Sequence, residues 1–368
     1  MLKNSAQLYS SPNDKLTYTP TFFRLNTDQE KLIFNDFLAA GNVATIHDEI
    51  GTQLQELIKG QNPSIKIPAD EYEDRIAKHL NGTPPDEYGV WVYYPWSRNL
   101  VHLLDEDEFV EVRTNRNQYK ITKDEQDLLK QKKIGIVGLS VGQSIALTLV
   151  MERVCGEIRL ADFDTAELSN LNRIRTGLHN MGINKTIIAA REIAEIDPYI
   201  KVILFHDGLH QENMDEFFTA NGNLDLFVEV CDGIDIKIDS RFKAKALQIP
   251  VVMDTNDRGM LDVERFDLEP GRSIFHGMID AFEQNGTIKI TEDNRRQILM
   301  SIVSFDALSA RMKQSMAEIG KTINTWPQLA SSVVLGGAIT TDIARRILLG
   351  EHTTSGRYYV DLDDIFKE

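Results

Sequence analysis

Cysteine is scarce: Cys155 and Cys231 are the only two in 368 residues. That count excludes a disulfide framework and a four-cysteine zinc site, and a reducing, cytoplasmic setting is expected. Long apolar runs are missing too. No run of 18 apolar residues exists to span a bilayer, and Met1 to Asp14 is polar where a signal peptide would be apolar, so no membrane partner is expected. Net positive charge is the third thing lacking. With 40 Lys+Arg against 56 Asp+Glu the formal charge is −16, which makes a nucleic-acid partner an unfavoured expectation.

The cations that are present are unevenly spread. Arg153, Arg159, Arg173, Arg175, Lys185, Arg191 and Lys201 fall in one short segment of an otherwise acidic chain, which suits a small phosphorylated ligand. The length allows two ordinary domains. Residues 1–110 read as an accessory region of unassigned role and residues 111–368 as the catalytic domain. In the first, Leu32, Phe34, Phe37 and Leu38, and then Ile46, Ile50, Leu54, Leu57 and Ile58, follow helical spacing. Breaks at Gly60 to Pro63 and Gly82 to Pro85 precede a strand at Val90 to Tyr94. The acidic run Asp105 to Glu111 is expected to be a solvated surface, and Trp91 and Trp96 core or interface aromatics.

From Lys133 strands and helices alternate. Ile134 to Gly138 and Glu157 to Ala161 read as strands flanking a helix from Val141 to Arg153. A helix over Lys185 to Ile196, a strand over Lys201 to Phe205, a helix over Asn213 to Thr219 and a strand over Leu224 to Val230 continue the series. Lys237 to Leu247 is a further helix and Pro250 to Met253 a further strand. The fold class is therefore α/β, a Rossmann-like, mostly parallel sheet covered by helices on both faces. Antiparallel strands are expected around Val263 to Asp267, Ser273 to Met278 and Thr287 to Ile290. Helices over Arg295 to Ile319, interrupted or not, and Trp326 to Leu349 close the chain.

The chemistry-bearing residues cluster at the carboxyl ends of those strands. Gly138-Leu139-Ser140-Val141-Gly142 forms the first strand-to-helix turn, where missing Cβ atoms and helix N–H groups admit a phosphate. Two glycines at a helix start are common, so this signal is weak alone. Asp162 follows at the ribose-binding distance. Asp164 serves either the ligand or the next turn. Asn170 and Arg173 share a face if the run is helical, and Arg173 offers a planar donor fork where Lys185 supplies a point charge. Asp232, after an apolar strand, is the preferred Mg²⁺ ligand over Glu229, which alternates into the sheet, and Asp235, expected to cap the next helix. Cys155 and Cys231 are small core residues before they are nucleophiles. His206 and His210 flank a turn, and they are read as ordinary, as are His179 and His276.

Together, Gly138 to Gly142, Asp162-Phe163-Asp164, Ser169-Asn170-Leu171-Asn172-Arg173, Lys185, Asp197-Pro198 and Cys231-Asp232 resemble the ThiF/MoeB/HesA superfamily of ubiquitin-activating-type adenylyltransferases. The likeness covers roughly residues 111–361, and Arg113 to Gln118 resembles the arginine-bearing segment that precedes the first strand in that family. Within it the chain looks like a bacterial ThiF-like subgroup with an extra N-terminal region, in which this domain can be fused to a nitroreductase-like one, a fusion the 368 residues do not contain. The resemblance implies ATP and Mg²⁺ as cofactors, Asp162 on ribose, Arg173 and Lys185 on phosphates, and Asp232 on magnesium. It further implies a homodimer in which Arg116 reaches the γ-phosphate across subunits. The partner it implies is a small ubiquitin-like carrier protein, a peptide or a small acid, activated as an acyl-adenylate.

Three departures qualify it. Ser140 and Val141 stand where the family's glycine-rich loop has glycines. Paired zinc cysteines are absent, so no zinc is expected. No cysteine follows Cys231, which argues against a thioester relay. An alternative within the family is a relative of tRNA threonylcarbamoyladenosine dehydratase. Outside it stand an NAD-dependent oxidoreductase, which leaves Arg173, Lys185 and Asp232 without a task, and a nucleotide-binding scaffold or pseudoenzyme.

Overall fold

The computed structural model describes residues 15–284 and 286–366, so the expectation for Met1 to Asp14 lies outside the described residues. The chain divides into two compact units. One runs to Lys123 and takes in Ala194–Tyr199; the other comprises Asp124–Ile193 and Ile200 onward.

The first unit holds a four-stranded sheet, β1 (Thr21–Phe23), β2 (Thr45–Asp48), β3 (Val90–Tyr94) and β4 (Asn99–Leu103), in the order β1-β3-β4-β2. β3 is buried along its whole length, as its aromatic and β-branched residues predict. Trp91 stacks on the His102 ring at 4.0 Å between centroids. Helices α1 (Asp28–Ala39), α2 (Ile50–Gln61), α3 (Tyr72–Leu80) and α4 (Glu106–Thr114) complete the unit. Two expectations change here. Ile46 lies on β2, not on the helix that begins at Ile50. The acidic run is also only partly solvated: Asp105 accepts two hydrogen bonds from Arg24, at 2.6 and 2.7 Å, and Glu108 accepts one from the Tyr88 hydroxyl at 2.8 Å.

The second unit begins with α5 (Lys123–Leu129) and is built on β5 (Lys133–Val137), β6 (Glu157–Ala161), β7 (Lys201–Phe205), β8 (Leu226–Glu229), β9 (Val251–Thr255) and β10 (Met260–Glu264). A small hairpin of β11 (Glu283–Gln284) and β12 (Thr287–Ile288) follows, and β13 (Gly356–Tyr359) returns to the main sheet. The seven-stranded order is β13-β10-β9-β8-β5-β6-β7. β5 to β9 are parallel and β10 and β13 antiparallel, which bears out the α/β reading. Successive strands run one way from β5 to β7 and the other way from β8 to β9. The sheet therefore has a switch point at β5, where the two adjoining loops splay and leave a crevice at the carboxyl ends.

Helices α6 (Gly142–Glu152), α7 (Lys185–Ile196), α8 (Gln211–Thr219) and α9 (Ile234–Ala246) connect the parallel strands. After the sheet come α10 (Glu292–Ile302), α11 (Ala310–Glu318) and α12 (Ala330–Leu348). Ser304, at φ 52°, breaks the stretch from Arg295 to Ile319 into the first two of these. Ser273 to Met278 is not a strand. Phe275 and His276 take left-handed φ values of 48° and 55°, which cannot continue a pleat, and the buried Phe275 ring lies 3.9 Å from the Arg241 guanidinium carbon. α12 carries Gly336 and Gly337 mid-helix, at a cost of about 1 kcal/mol each relative to alanine. Close approach explains both: a Cβ on Gly337 would lie 2.5 Å from the Ser144 hydroxyl of α6, and one on Gly336 would strike the Asp254 carboxylate.

Candidate active site

The β5–α6 turn is shaped by two glycines. Gly138 sits at φ +89°, and a Cβ there would come within 2.6 Å of the Val230 carbonyl oxygen and 2.8 Å of the Cys231 nitrogen. The first loop thus lies directly on the loop that carries Asp232. A Cβ on Gly142 would meet Ile136 Cγ2 at 2.8 Å, so its absence lets α6 start against β5. α6 has no side-chain cap; the Ser144 N–H donates to the Val141 carbonyl at 3.0 Å, and no side chain caps the N–H groups before it.

Asp162 closes β6 and is 8% exposed. One carboxylate oxygen accepts the Leu139 N–H at 2.6 Å and the other the Asp164 N–H at 2.8 Å, leaving each with lone-pair capacity for a further donor. Burial raises its pKa, opposed by the charge of Lys185 and by those two amides. Lys185 is itself buried at the start of α7 and donates to Asp164 at 2.7 Å, with Asp164 half exposed. Asn170 folds the run that follows: its side-chain oxygen accepts the Glu167 N–H at 3.1 Å within the turn Leu168–Asn172. That turn delivers Arg173, whose Nε and Nη2 donate to the Ser140 hydroxyl at 3.0 and 2.7 Å. Burial lowers the pKa of Arg173 while the charge of Asp232 raises it, so the two side chains share one electrostatic neighbourhood.

Asp232 is exposed in the β8–α9 loop and lines the cavity described below. Its rivals are otherwise engaged. Glu229 is fully buried, accepting from Lys237 at 2.6 Å and facing Arg241 at 3.6 Å, in a cluster that continues to Asp262 and Glu264. Asp235 does not cap α9, whose N-cap is Gly233; it is an exposed first-turn residue 3.4 Å from Arg295. Burial, reinforced by Glu229, pushes the Cys231 thiol up to about 12, which leaves it inert as a nucleophile at neutral pH. His206 hydrogen-bonds Thr186 through Nδ1 at 2.7 Å, and His210 is the N-cap residue of α8.

Sequence reasoning missed one residue of consequence. Asp254 lies in β9, 4% exposed, and neither carboxylate oxygen has a hydrogen-bond partner. It lines a cavity of about 310 Å³ with Ser140, Asp232, Asn256 and Gln328, walled on the apolar side by Leu299, Ile302 and Met312. The buried Oδ1 of Asn256 and Oε1 of Gln328 are likewise without partners. The signal was present in the sequence, because Asp254 ends an apolar strand just as Asp162 and Asp232 follow theirs.

The structure therefore brings Gly138, Ser140, Gly142, Asp162, Asp164, Asn170, Arg173, Lys185 and Asp232 to one edge of one sheet. Arg116 belongs to the first unit, exposed on the turn Asn115–Asn117. The set fits a nucleotide: Asp162 keeps open lone pairs, the turn glycines admit no Cβ, and two cations rest on groups they can exchange for phosphate. Among the described residues no group of three or more His, Cys, Asp or Glu could hold a metal by itself. A lone carboxylate at this place fits Mg²⁺, which is commonly held by one or two carboxylates together with phosphate oxygens. No helix among the described residues is long and apolar enough to cross a membrane.

A mostly parallel sheet with acids and cations gathered at its switch point defines an α/β protein of the doubly wound class. Residues 113–294 match the ThiF family, and the chain belongs through this domain to the ThiF/MoeB/HesA superfamily. An uncharacterized protein of Mycobacterium tuberculosis (strain CDC 1551 / Oshkosh) is 44% identical over 305 residues, a match covering 80% of this chain and 42% of that protein, so the chain spans well under half of this relative's length. The tRNA threonylcarbamoyladenosine dehydratase of Bacillus subtilis is 23% identical over 63% of this chain and 95% of its own. The molybdopterin-synthase adenylyltransferase of Haemophilus influenzae is 26% identical over 61% of this chain and 90% of its own.

Proposed function

We propose that the second unit is an ATP- and magnesium-dependent adenylyltransferase that activates a carboxylate as an acyl-adenylate. The observation that carries this reading is the gathering of Asp162, Arg173, Lys185 and Asp232 at the switch point of one parallel sheet. Asp162 holds ribose hydroxyls with its remaining lone pairs, Arg173 leaves Ser140 for phosphate oxygens, and Lys185 turns from Asp164 toward the same charge. Asp232 would hold Mg²⁺, which when bound would supply positive charge to the phosphates. An oxygen of the substrate carboxylate bonds to the α-phosphorus, the bond to the α,β-bridging oxygen breaks, and pyrophosphate leaves with the electron pair. No protein nucleophile is needed, and catalysis rests on positioning and charge neutralisation. The half-buried Cys231, whose thiol is pushed up to about 12, supports a reaction without a thioester.

The adenylyltransferase named among the relatives supports adenylyl transfer as the reaction type, and the acid activated is a carrier-protein C-terminus, a peptide or a small acid. In a homodimer, Arg116 of one protomer serves the γ-phosphate bound by the other. Pyrophosphate exchange into ATP tests the reading: it should require Mg²⁺ and a carboxylate and be lost in Asp232→Ala. NAD(H) binding far tighter than Mg·ATP would sink it, and ATP binding without exchange for any carboxylate would favour a scaffold. Mixing Arg116→Ala with Asp232→Ala chains should restore part of the exchange; no recovery would remove Arg116 from the site.

A further inference from the structure

The cavity beside Asp232 has a chemistry that nucleotide binding does not use. Its volume of about 310 Å³ is at the low end of small-molecule pockets, which run from roughly 300 to 1,000 Å³. Leu299, Ile302 and Met312 make one wall apolar. The same lining carries four acceptor atoms without donors: both oxygens of Asp254, Oδ1 of Asn256 and Oε1 of Gln328. A buried carboxylate without a partner is costly to keep, and this one is accommodated by a glycine, because any side chain at Gly336 would occupy its place. The two cations of the lining are committed elsewhere, Lys237 to Glu229 at 2.6 Å and Arg295 to Asp235 at 3.4 Å, and neither hydrogen-bonds Asp254.

An occupant has to bring donors to Asp254, an apolar body to the facing wall, and a carboxylate that stays clear of Asp254 and points to Asp232 and the nucleotide. A primary ammonium supplies three donors and no acceptor. The glycine-only tail of a carrier protein would leave the apolar wall without a partner. We infer that the acid activated at this site is a small free amino acid with an apolar side chain, its ammonium held by Asp254 with Asn256 and Gln328. The inference rests on the adenylation reading for the reaction. It concerns binding alone for its recognition, and the amine is unchanged when the carboxylate oxygen bonds to phosphorus and pyrophosphate departs.

Calorimetry on the full chain, with and without a non-hydrolysable Mg·ATP analogue, tests it with three ligand sets. These are apolar amino acids, the same carbon skeletons lacking the amine, and a peptide ending in Gly-Gly. Amino acids should bind and the amine-free acids bind more weakly by roughly 10- to 150-fold, the range expected for losing a hydrogen-bonded charge. Asp254→Asn should erase that difference while Mg·ATP affinity holds, and Ile302→Trp, which fills the cavity, should abolish amino-acid binding. Equal binding of both acid sets, no binding of either, preference for the Gly-Gly peptide, or an unchanged preference in Asp254→Asn overturns the inference. So does Mg²⁺ binding without nucleotide that is lost in Asp254→Asn, since the carboxylate would then be a metal ligand. Amino-acid binding without pyrophosphate exchange would instead overturn the adenylation reading and leave the amine recognition standing.

Discussion

Arg173 donates two hydrogen bonds to the Ser140 hydroxyl, from Nε at 3.0 Å and Nη2 at 2.7 Å, across 33 residues of sequence. Ser140 lies in the turn between β5 and α6, so that turn holds the guanidinium. Reaching a phosphate means giving up that contact. Ser140→Ala should therefore tighten Mg·ATP binding by about fivefold, the worth of one net hydrogen bond. Calorimetric titration reads it directly, and tenfold weaker binding would show that the hydroxyl itself serves the phosphate.

Asp162 ties together the backbone of two loops, accepting the Leu139 and Asp164 N–H groups, and in the proposed function it also holds ribose. Asp162→Asn puts an amide donor against an N–H from Leu139 or Asp164 and removes a charge from the ribose contact. Mg·ATP affinity should fall roughly 10- to 100-fold and the thermal midpoint should drop as well. The 2′,3′-dideoxy nucleotide supplies the control: wild type should bind it far more weakly than ATP, whereas the variant should bind both alike.

Asp254 sets a pH dependence whose sign follows from burial. Its pKa is raised from 3.8 to about 7 by burial, so the folded state keeps a proton that the unfolded chain releases. The penalty begins as pH rises past the unfolded value, grows to about 7 and is constant beyond, reaching on the order of 4 kcal/mol. Asp232, Asp257, Lys237 and Arg295 share the cavity lining with it. Asp254→Asn should raise the thermal midpoint more at pH 8 than at pH 5; an equal gain at both would mean the carboxylate is not titrating there.

Cys231 lies next to the proposed magnesium ligand and yet should be chemically quiet. With its thiol near 12, the thiolate is roughly one part in 10⁵ at pH 7. Iodoacetamide labelling at pH 7.5 should be far slower than for free cysteine. Cys231→Ala should keep pyrophosphate exchange within about threefold; loss of exchange together with a trapped thioester would reverse this view.

Much of the fold was legible because parallel strands buried on both faces read as short apolar runs, and Asp162 and Asp232 follow two such runs. Asp254 obeys the same rule at the end of β9 and was missed because no motif pointed to it. The cavity was not legible at all: Leu299, Ile302, Met312 and Gln328 join Asp254 in its lining, and their meeting with β9 depends on packing between segments with no fixed spacing. Phe275 and His276 misled in the other direction, since an apolar run with β character adopts a left-handed turn to put a ring on Arg241. Ile46 shows the remaining weakness, where helical spacing was carried one turn too far into a strand.

Gly138 explains where this loop could drift and where it could not. A side chain there would collide with the Val230 carbonyl and the Cys231 backbone, while Val141 is buried and Ser140 has found a partner. At rest, then, the guanidinium is not left bare to the free phosphate and sulfate of its surroundings. The serine acts as a built-in competitor, so that a ligand must outbid a hydroxyl to claim the arginine, and only one that also satisfies Asp162 and Asp232 has enough contacts to do so.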